Sequence, residues 1–387
     1  MHFPAADDAL EPRATPLYAA AAGLSATNSW TSINGFASAR VYTSVEEEYK
    51  AASEDAALVD LGPMRRYTLR GKDAGVILSR LTTTPVAEVA VGESARGLIL
   101  DTDGFVVDFA DLTRLSDDLY LLTTATPVDR RLQLAARGFE AEALNVGAMV
   151  AALGIAGPLA REAASAAGID LLSADATAQG RVRGVELAIR PVGFGAAPGV
   201  EIMCPADEAL VVFERLRRKR PLPAAGLEAL EILRIEGGVP RVGVDFAGAD
   251  QAGALSERRL PNEVGLPHLA PPNRAWFNGR RAMKSAPSSG RYLVVLSIDS
   301  DRAAPGAAIY AKGEAVGRIT SSAFSPRLRR VVAFAELAAT ALDRPLEAAI
   351  AGPARAPARL HETEESRRAG VFRENLKTAT ESGRSSV

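Results

Sequence analysis

Leu98 to Leu112 reads LILDTDGFVVDFADL, and this stretch decides the reading of the fold. A short apolar run, a turn at Asp101 to Gly104 and a second apolar run from Phe105 to Leu112 spell a hairpin, because Asp and Gly supply the backbone of a tight turn. Leu119 to Thr123 follows as a further strand. Upstream, Val45 to Ala57 and Ala74 to Leu81 carry helical periodicity around a strand at Arg66 to Leu69. Downstream, a helix from about Val128 precedes a strand at Met149 to Ile155. Strands and helices mixed in this order favour an α+β domain over a doubly wound sheet.

The second half continues in the same style. Val185 to Arg190 and Val200 to Met203 read as strands, Ala206 to Arg217 and Gly226 to Glu236 as helices. From Arg291 onward the segments Tyr292 to Ile298, Ala308 to Tyr310, Ala315 to Thr320 and Val331 to Glu336 are short strands punctuated by Gly, Pro and Asp, the pattern of a small barrel or sandwich. Residues 1–35 read as an extended N-terminal arm, and the charged, serine-rich residues 361–387 as a tail with a short docking helix around Val371 and Phe372.

Composition narrows the function. The 387 residues, 47% hydrophobic, suffice for two or three domains with sizeable cores. Forty-five basic against 47 acidic residues give a net charge of -2, which argues against a nucleic-acid or membrane footprint. ERLRRKR, Glu214 to Arg220, closes a helix where cations complement the dipole and face solvent. Cys204 has no disulfide partner, and with only His2, His268 and His361 no metal site is expected. MHFPAADDALEP lacks a signal peptide's basic and apolar segments, so the reading is a soluble cytoplasmic protein with no membrane segment.

Three separated segments resemble the aminomethyltransferase superfamily, which includes the glycine-cleavage T protein and folate-dependent demethylases. They are LTTTPV (Leu81 to Val86) with LDTDGFVVD (Leu100 to Asp108); GFGAAPGVEIMCP (Gly193 to Pro205) with GLEALEILRIEGGVPRVGVD (Gly226 to Asp245) and LPNEVGL (Leu260 to Leu266); and IYAKGEAVGRITSSAFSP (Ile309 to Pro326). The resemblance implies an α+β, three-lobed cloverleaf-like fold with a C-terminal small β-barrel. Residues 36–285 would form a folate-binding-type region of two lobes, and 286–360 the barrel.

The same resemblance implies roles. Asp108 stands where the family keeps an aspartate near the transferred carbon, and a buried carboxylate there could stabilise a cation or shuttle a proton; the plain alternative is a strand-end turn residue. Glu201, seven residues after Phe194, matches a glutamate that hydrogen-bonds the pterin ring; alternation alone would make it an exposed strand residue. Phe194 replaces a family tyrosine and can stack but not donate. Arg234 and Glu236 match residues that brace lobes and line the pocket, with a structural salt bridge as the alternative, and Glu263 either shares that duty or ties a loop. Trp276 and Phe277 could line an aromatic substrate's pocket or simply pack.

Departures redirect the function. The T protein's histidine and arginine are missing from VEEEYKAASEDAAL (Val45 to Leu58), its serine-histidine-methionine-glycine turn has become LGPMRR (Leu61 to Arg66), and Thr84 and Pro85 replace its asparagine and aspartate. A lipoyl carrier protein is therefore not expected as partner, and NRAWFNGRR (Asn273 to Arg281) lacks the cysteine of the iron-sulfur-maintenance branch. The sequence points to a tetrahydrofolate-dependent one-carbon transferase that demethylates a small, aromatic or other methylated substrate. Two alternatives stay open: a folate-independent lyase that releases formaldehyde from a hydroxymethyl-bearing aromatic substrate, and a non-catalytic folate- or partner-binding protein.

Overall fold

A computed structural model describes residues 11–169, 178–271, 273–274 and 276–368. The chain resolves into two compact units: Met1–Ile99, Asp108–Leu233 and Ala275–Phe277 form one, and Leu100–Val107, Arg234–Arg274 and Asn278–Val387 the other.

The first unit opens with helix α1 (Tyr18–Ala22) and the pair β1 (Ser29–Ile33) and β2 (Phe36–Val41). These lie largely within the stretch read as an extended arm. An Ala-rich helix of five residues and a strand reading SWTSI carry too little periodicity to announce themselves. Helix α2 (Val45–Glu54) is capped by the Ser44 side chain, which accepts the Glu47 amide. It ends earlier than its pattern suggests, because β3 (Ala57–Asp60) begins at once and is buried along most of its length. Then come β4 (Arg65–Arg70), α3 (Ala74–Leu81), β5 (Ser94–Leu100), β6 (Val106–Arg114), β7 (Leu119–Thr124), α4 (Asp129–Ala135) and β8 (Glu142–Asn145). After them run β9 (Val150–Ala156), α5 (Ala160–Ala166), β10 (Ala178–Val182), β11 (Val185–Phe194), β12 (Ala197–Pro205), α6 (Ala209–Lys219) and α7 (Leu227–Gly237).

Two five-stranded sheets result, ordered β5-β6-β7-β4-β8 and β10-β11-β12-β9-β3. The second is covered by α5 and α6. Their alanine, valine and leucine faces join Leu153, Ile155, Ile189, Val200 and Ile202 in one apolar core. On α6 the buried stripe Ala209, Val212, Phe213 and Leu216 recurs at helical spacing, which makes this helix legible in the sequence. The cationic Arg217, Arg218 and Lys219 then close it at its negative end.

The second unit contains α8 (Arg280–Met283) and a closed six-stranded barrel, built from β13 (Arg291–Ile298), β14 (Ala308–Ala311), β15 (Glu314–Ser325), β16 (Arg330–Ala338), β17 (Leu346–Ala351) and β18 (Ala354–Leu360) in the order β13-β16-β15-β14-β17-β18. Its interior alternates along β16 through Val331, Ala333, Ala335 and Leu337, and alanines recur on β14, β17 and β18 because a barrel this narrow leaves room for little more. The chain leaves the barrel into α9 (Glu364–Arg368). The helix expected around Val371 and Phe372 lies outside the described residues. No helix among the described residues is long and apolar enough to cross a membrane.

One buried carboxylate ties early and late parts of the first unit. Glu48 on α2 accepts the amides of Tyr42 and Thr43 at 2.6 and 2.7 Å on Oε1 and that of Gly226 at 2.7 Å on Oε2. Removing it strands three donors, those of Tyr42 and Gly226 buried, so Glu48→Ala should destabilise the fold by about 2–3 kcal/mol in urea unfolding; a loss under about 1 kcal/mol would show that water replaces it.

Candidate active site

Asp108 lies on β6 with no exposed surface. Its Oδ1 accepts the amide of Phe109 at 2.7 Å, and its Oδ2 accepts both the amide and the hydroxyl of Thr126 at 2.6 Å each. The register of β6 on β7 pairs Asp111 with Thr123 and Thr113 with Leu121. Continued past the end of β7, that antiparallel register brings Asp108 opposite Thr126, so the contact follows from the ladder. Burial pushes the Asp108 carboxyl up, and the hydrogen bonds from Thr126, Phe109 and Ala125 recover only part of the cost, leaving a pKa of about 7. A group of this kind is half protonated at neutral pH and can give or take a proton there.

Glu201 on β12 is equally buried but differently held. Its Oε1 accepts Arg66 Nη2 at 2.6 Å and its Oε2 accepts Arg190 Nε at 2.5 Å. Both guanidiniums are buried as deeply as the carboxylate. Arg190 completes its bonding on the hydroxyls of Thr113 and Thr123, while Arg66 Nη1 donates to the carbonyls of Leu61 and Met64. Arg66 Nε is buried without a hydrogen-bond partner among the described residues. Burial alone would raise the Glu201 carboxyl, but the charges of Arg190 and Arg66 outweigh it and hold the group below its ordinary value. The alternation that predicted an exposed strand residue fails here, because Glu201 faces the other sheet of its unit rather than solvent.

Phe194, at the end of β11, is also buried. Its ring lies on a floor of glycine: a Cβ on Gly154 would come within 2.7 Å of it, and one on Gly199 within 2.6 Å. The ring is therefore packed into the sheet and its neighbours. Trp276 is 62% exposed whereas the adjacent Phe277 is buried.

α7 begins in the first unit, but from Arg234 onward its residues belong to the second. Arg234 donates to Asp245 and the Val239 carbonyl through Nη1 and to the Ser321 hydroxyl through Nη2. Glu236 accepts from Ser325 and from Arg327. Two residues apart on α7, they lead to Ser321 and Ser325 on the same strand, β15. Glu263 ties a loop: Oε1 takes the Ser288 hydroxyl and the amide and hydroxyl of Ser289, and Oε2 takes the Leu260 amide.

Within the first unit the structure thus joins Glu201 to Arg66 and Arg190, and Asp108 to Thr126, none of these partners having been singled out as a site residue. One of them left a trace in the sequence. Arg190 and Glu201 stand at mirror positions about the Gly195-Ala196 turn, and the hairpin register pairs them directly. As direct partners for a pterin, the residues that the resemblance assigned to it do not fit. Glu201 is closed in by two guanidiniums, Phe194 is packed on glycine, and Arg234 is spent on Asp245 and Ser321.

Similarity to known proteins extends into both units. The GCVT N-terminal domain matches residues 17–255, and the Glycine cleavage T-protein C-terminal barrel domain matches residues 291–364. A probable aminomethyltransferase of Haloarcula marismortui is 30% identical over 323 residues, 79% of this chain and 86% of that protein. An aminomethyltransferase of Anoxybacillus flavithermus is 26% identical over 80% of this chain and 87% of its own length. The crystal structure of the glycine cleavage system aminomethyltransferase T from Bartonella henselae, 21% identical, superposes with a TM-score of 0.80, covering 91% of this chain and 98% of that one, which establishes the shared fold.

Two measurements check this geometry. Glu201→Gln leaves two buried guanidiniums with too little negative charge and should cost about 3–5 kcal/mol in chemical denaturation, whereas Glu201→Leu combined with Arg66→Met and Arg190→Met should restore much of the loss. Asp108 titrates near 7 in the fold against an ordinary value of 3.8. The folded chain therefore holds a proton that the unfolded chain has lost between those values. The contribution is complete below about pH 4 and disappears as pH rises through about 7. Stability should fall across that window in the wild type and fall less in Asp108→Asn; parallel pH profiles would contradict the assignment.

Proposed function

Because the chain belongs to the glycine-cleavage T protein (aminomethyltransferase) family, whose members are tetrahydrofolate-dependent one-carbon transferases, we propose that it demethylates a small methylated substrate, aromatic or otherwise, with Asp108 as its acid-base group. The observation that supports this reading is the buried carboxyl at about 7, fixed by Thr126. When bound, tetrahydrofolate supplies the family's acceptor nitrogen. The residues of this chain matched to the pterin are closed in by their own protein partners.

Asp108 is suited to two tasks. Ionised, its Oδ2 places a negative charge where positive charge develops at a methyl group being transferred; protonated, the same oxygen returns a proton to the demethylated heteroatom. Thr126 holds the carboxylate in one rotamer through both its amide and its hydroxyl. A lipoyl carrier has no place in this reading, since the T-protein side chains around Val45 to Arg66 are replaced.

The closure of Glu201 between two arginines and the packing of Phe194 favour a second reading, a lyase that works without folate. There the ionised Asp108 removes the hydroxyl proton of a hydroxymethyl substituent. The electron pair left on the oxygen becomes the second C–O bond of formaldehyde, the C–C bond breaks with its pair going to the substrate carbon, and that carbon takes up the proton Asp108 removed.

The two readings separate in one assay. Candidate methylated and hydroxymethyl donors are incubated with and without tetrahydrofolate, and methylated folate and formaldehyde are measured. Product that requires folate supports the transferase, and formaldehyde released without it supports the lyase. Asp108→Asn should lower either rate by about 10²–10⁴-fold, and unchanged turnover in that variant would remove Asp108 from the chemistry.

A further inference from the structure

The second unit contains a cavity at the seam of its barrel. β13 pairs with β18 only from Leu296 to Ile298, opposite Leu360, Arg359 and Ala358. One further bond, from the His361 amide to the Val295 carbonyl, continues that register; beyond it the strands part, and the Leu293 amide donates to the Glu263 carbonyl instead. The gap encloses about 100 Å³, bordered by Tyr292, Asn262, Phe334, Leu342, His361 and Ser366 among others. A single buried water needs about 10–15 Å³ on the same measure, so the space suits an organic molecule of several heavy atoms.

Its walls are held in place. Gly238 and Gly265 both border it with positive φ. A Cβ on Gly238 would fall 2.2 Å from the Thr363 hydroxyl, so that wall closes only on glycine. Thr363 and Ser366 then cap each other, with the Thr363 amide donating to Ser366 Oγ at 2.8 Å and the Ser366 amide to Thr363 Oγ1 at 3.1 Å. This turn draws the chain after β18 across the opening.

The lining is mostly neutral. Burial lowers the His361 pKa, opposed by Glu236 and assisted by Arg327, Arg330 and Arg367, which favours the neutral imidazole. Burial likewise raises the Tyr292 phenol, against the lowering effect of a hydrogen bond with Ser288 outside the cavity lining, so a ligand would share that hydroxyl. The lining carboxylate, Glu365, accepts His268 Nε2 at 3.0 Å. Phe334 offers an aromatic wall, its ring held by the Arg234 guanidinium 5.1 Å from its centroid.

We propose that this cavity binds a small uncharged aromatic molecule bearing one hydrogen-bonding group, of the phenol or benzamide kind, with Tyr292 and His361 reading the polar group and Phe334 the ring. The site is independent of Asp108 and of the one-carbon chemistry proposed for it.

Saturation-transfer NMR on the full chain with phenol, benzamide, benzoate and anilinium tests the idea. Phenol or benzamide should bind with a Kd of about millimolar order, as fits so few heavy atoms. Tyr292→Phe and His361→Leu should each weaken binding about tenfold, and Asp108→Asn should not change it. Tyr292→Phe retains the ring and serves if His361→Leu fails to fold. Absence of transfer from both neutral probes overturns the proposal, as does equal binding of the charged probes or unaltered affinity in Tyr292→Phe and His361→Leu.

Discussion

A carboxylate gripped by two guanidiniums, with almost no water touching any of the three, is the interaction on which the first unit depends. Glu201 and Arg190 come from β12 and β11, Arg66 from β4, and the threonines that complete Arg190 from β6 and β7. One cluster therefore fixes strands of both sheets. A buried ion pair tolerates little movement, because each ångström of separation exposes an uncompensated charge to a low dielectric. The positions of β6 and β7 are set accordingly, and with them the spacing of Asp108 and Thr126, which sit farther along the same two strands.

Glu201 and Asp108 form an instructive contrast. Both are wholly buried, and both have each oxygen hydrogen-bonded. Their acidities nevertheless move in opposite directions. The difference is the charge of the donors: guanidiniums favour the carboxylate strongly enough to overcome burial, whereas amides and a threonine hydroxyl do not. Of these two carboxylates, Glu201 is thereby committed to structure and Asp108 is left able to exchange a proton near neutrality. The two carboxylates expected to share one ligand are thus held by different sets of partners.

Elements with a long, clear period were legible. The amphipathic α2, α3 and α6, the β6 and β7 strands and the barrel segments from Tyr292 onward all stand close to where the hydrophobic pattern puts them. The SWTSI strand was not, since its pairing with β2 rests on a turn at Asn34 and Gly35, both with positive φ, more than on alternating apolar residues. Trp276 and Phe277 had the same aromatic signal, yet one is largely exposed and the other buried, a difference decided by tertiary surroundings and not by either residue's chemistry.

The site shows where such reading stops. Contacts within a hairpin obey a sum rule, and Arg190 with Glu201 could have been paired from the turn between them. Asp108 and Thr126 obey the same rule across β6 and β7. Arg66 does not: it reaches Glu201 from another sheet, 135 residues away in sequence, and no local period relates the two. What betrays it is chemical. An arginine in a strand whose neighbours Tyr67 and Leu69 are buried must either reach solvent or find an anion, and Arg66 finds Glu201. Its partner could be recognised only once the second sheet was in place, so the residue that closes the glutamate was the one the sequence hid best.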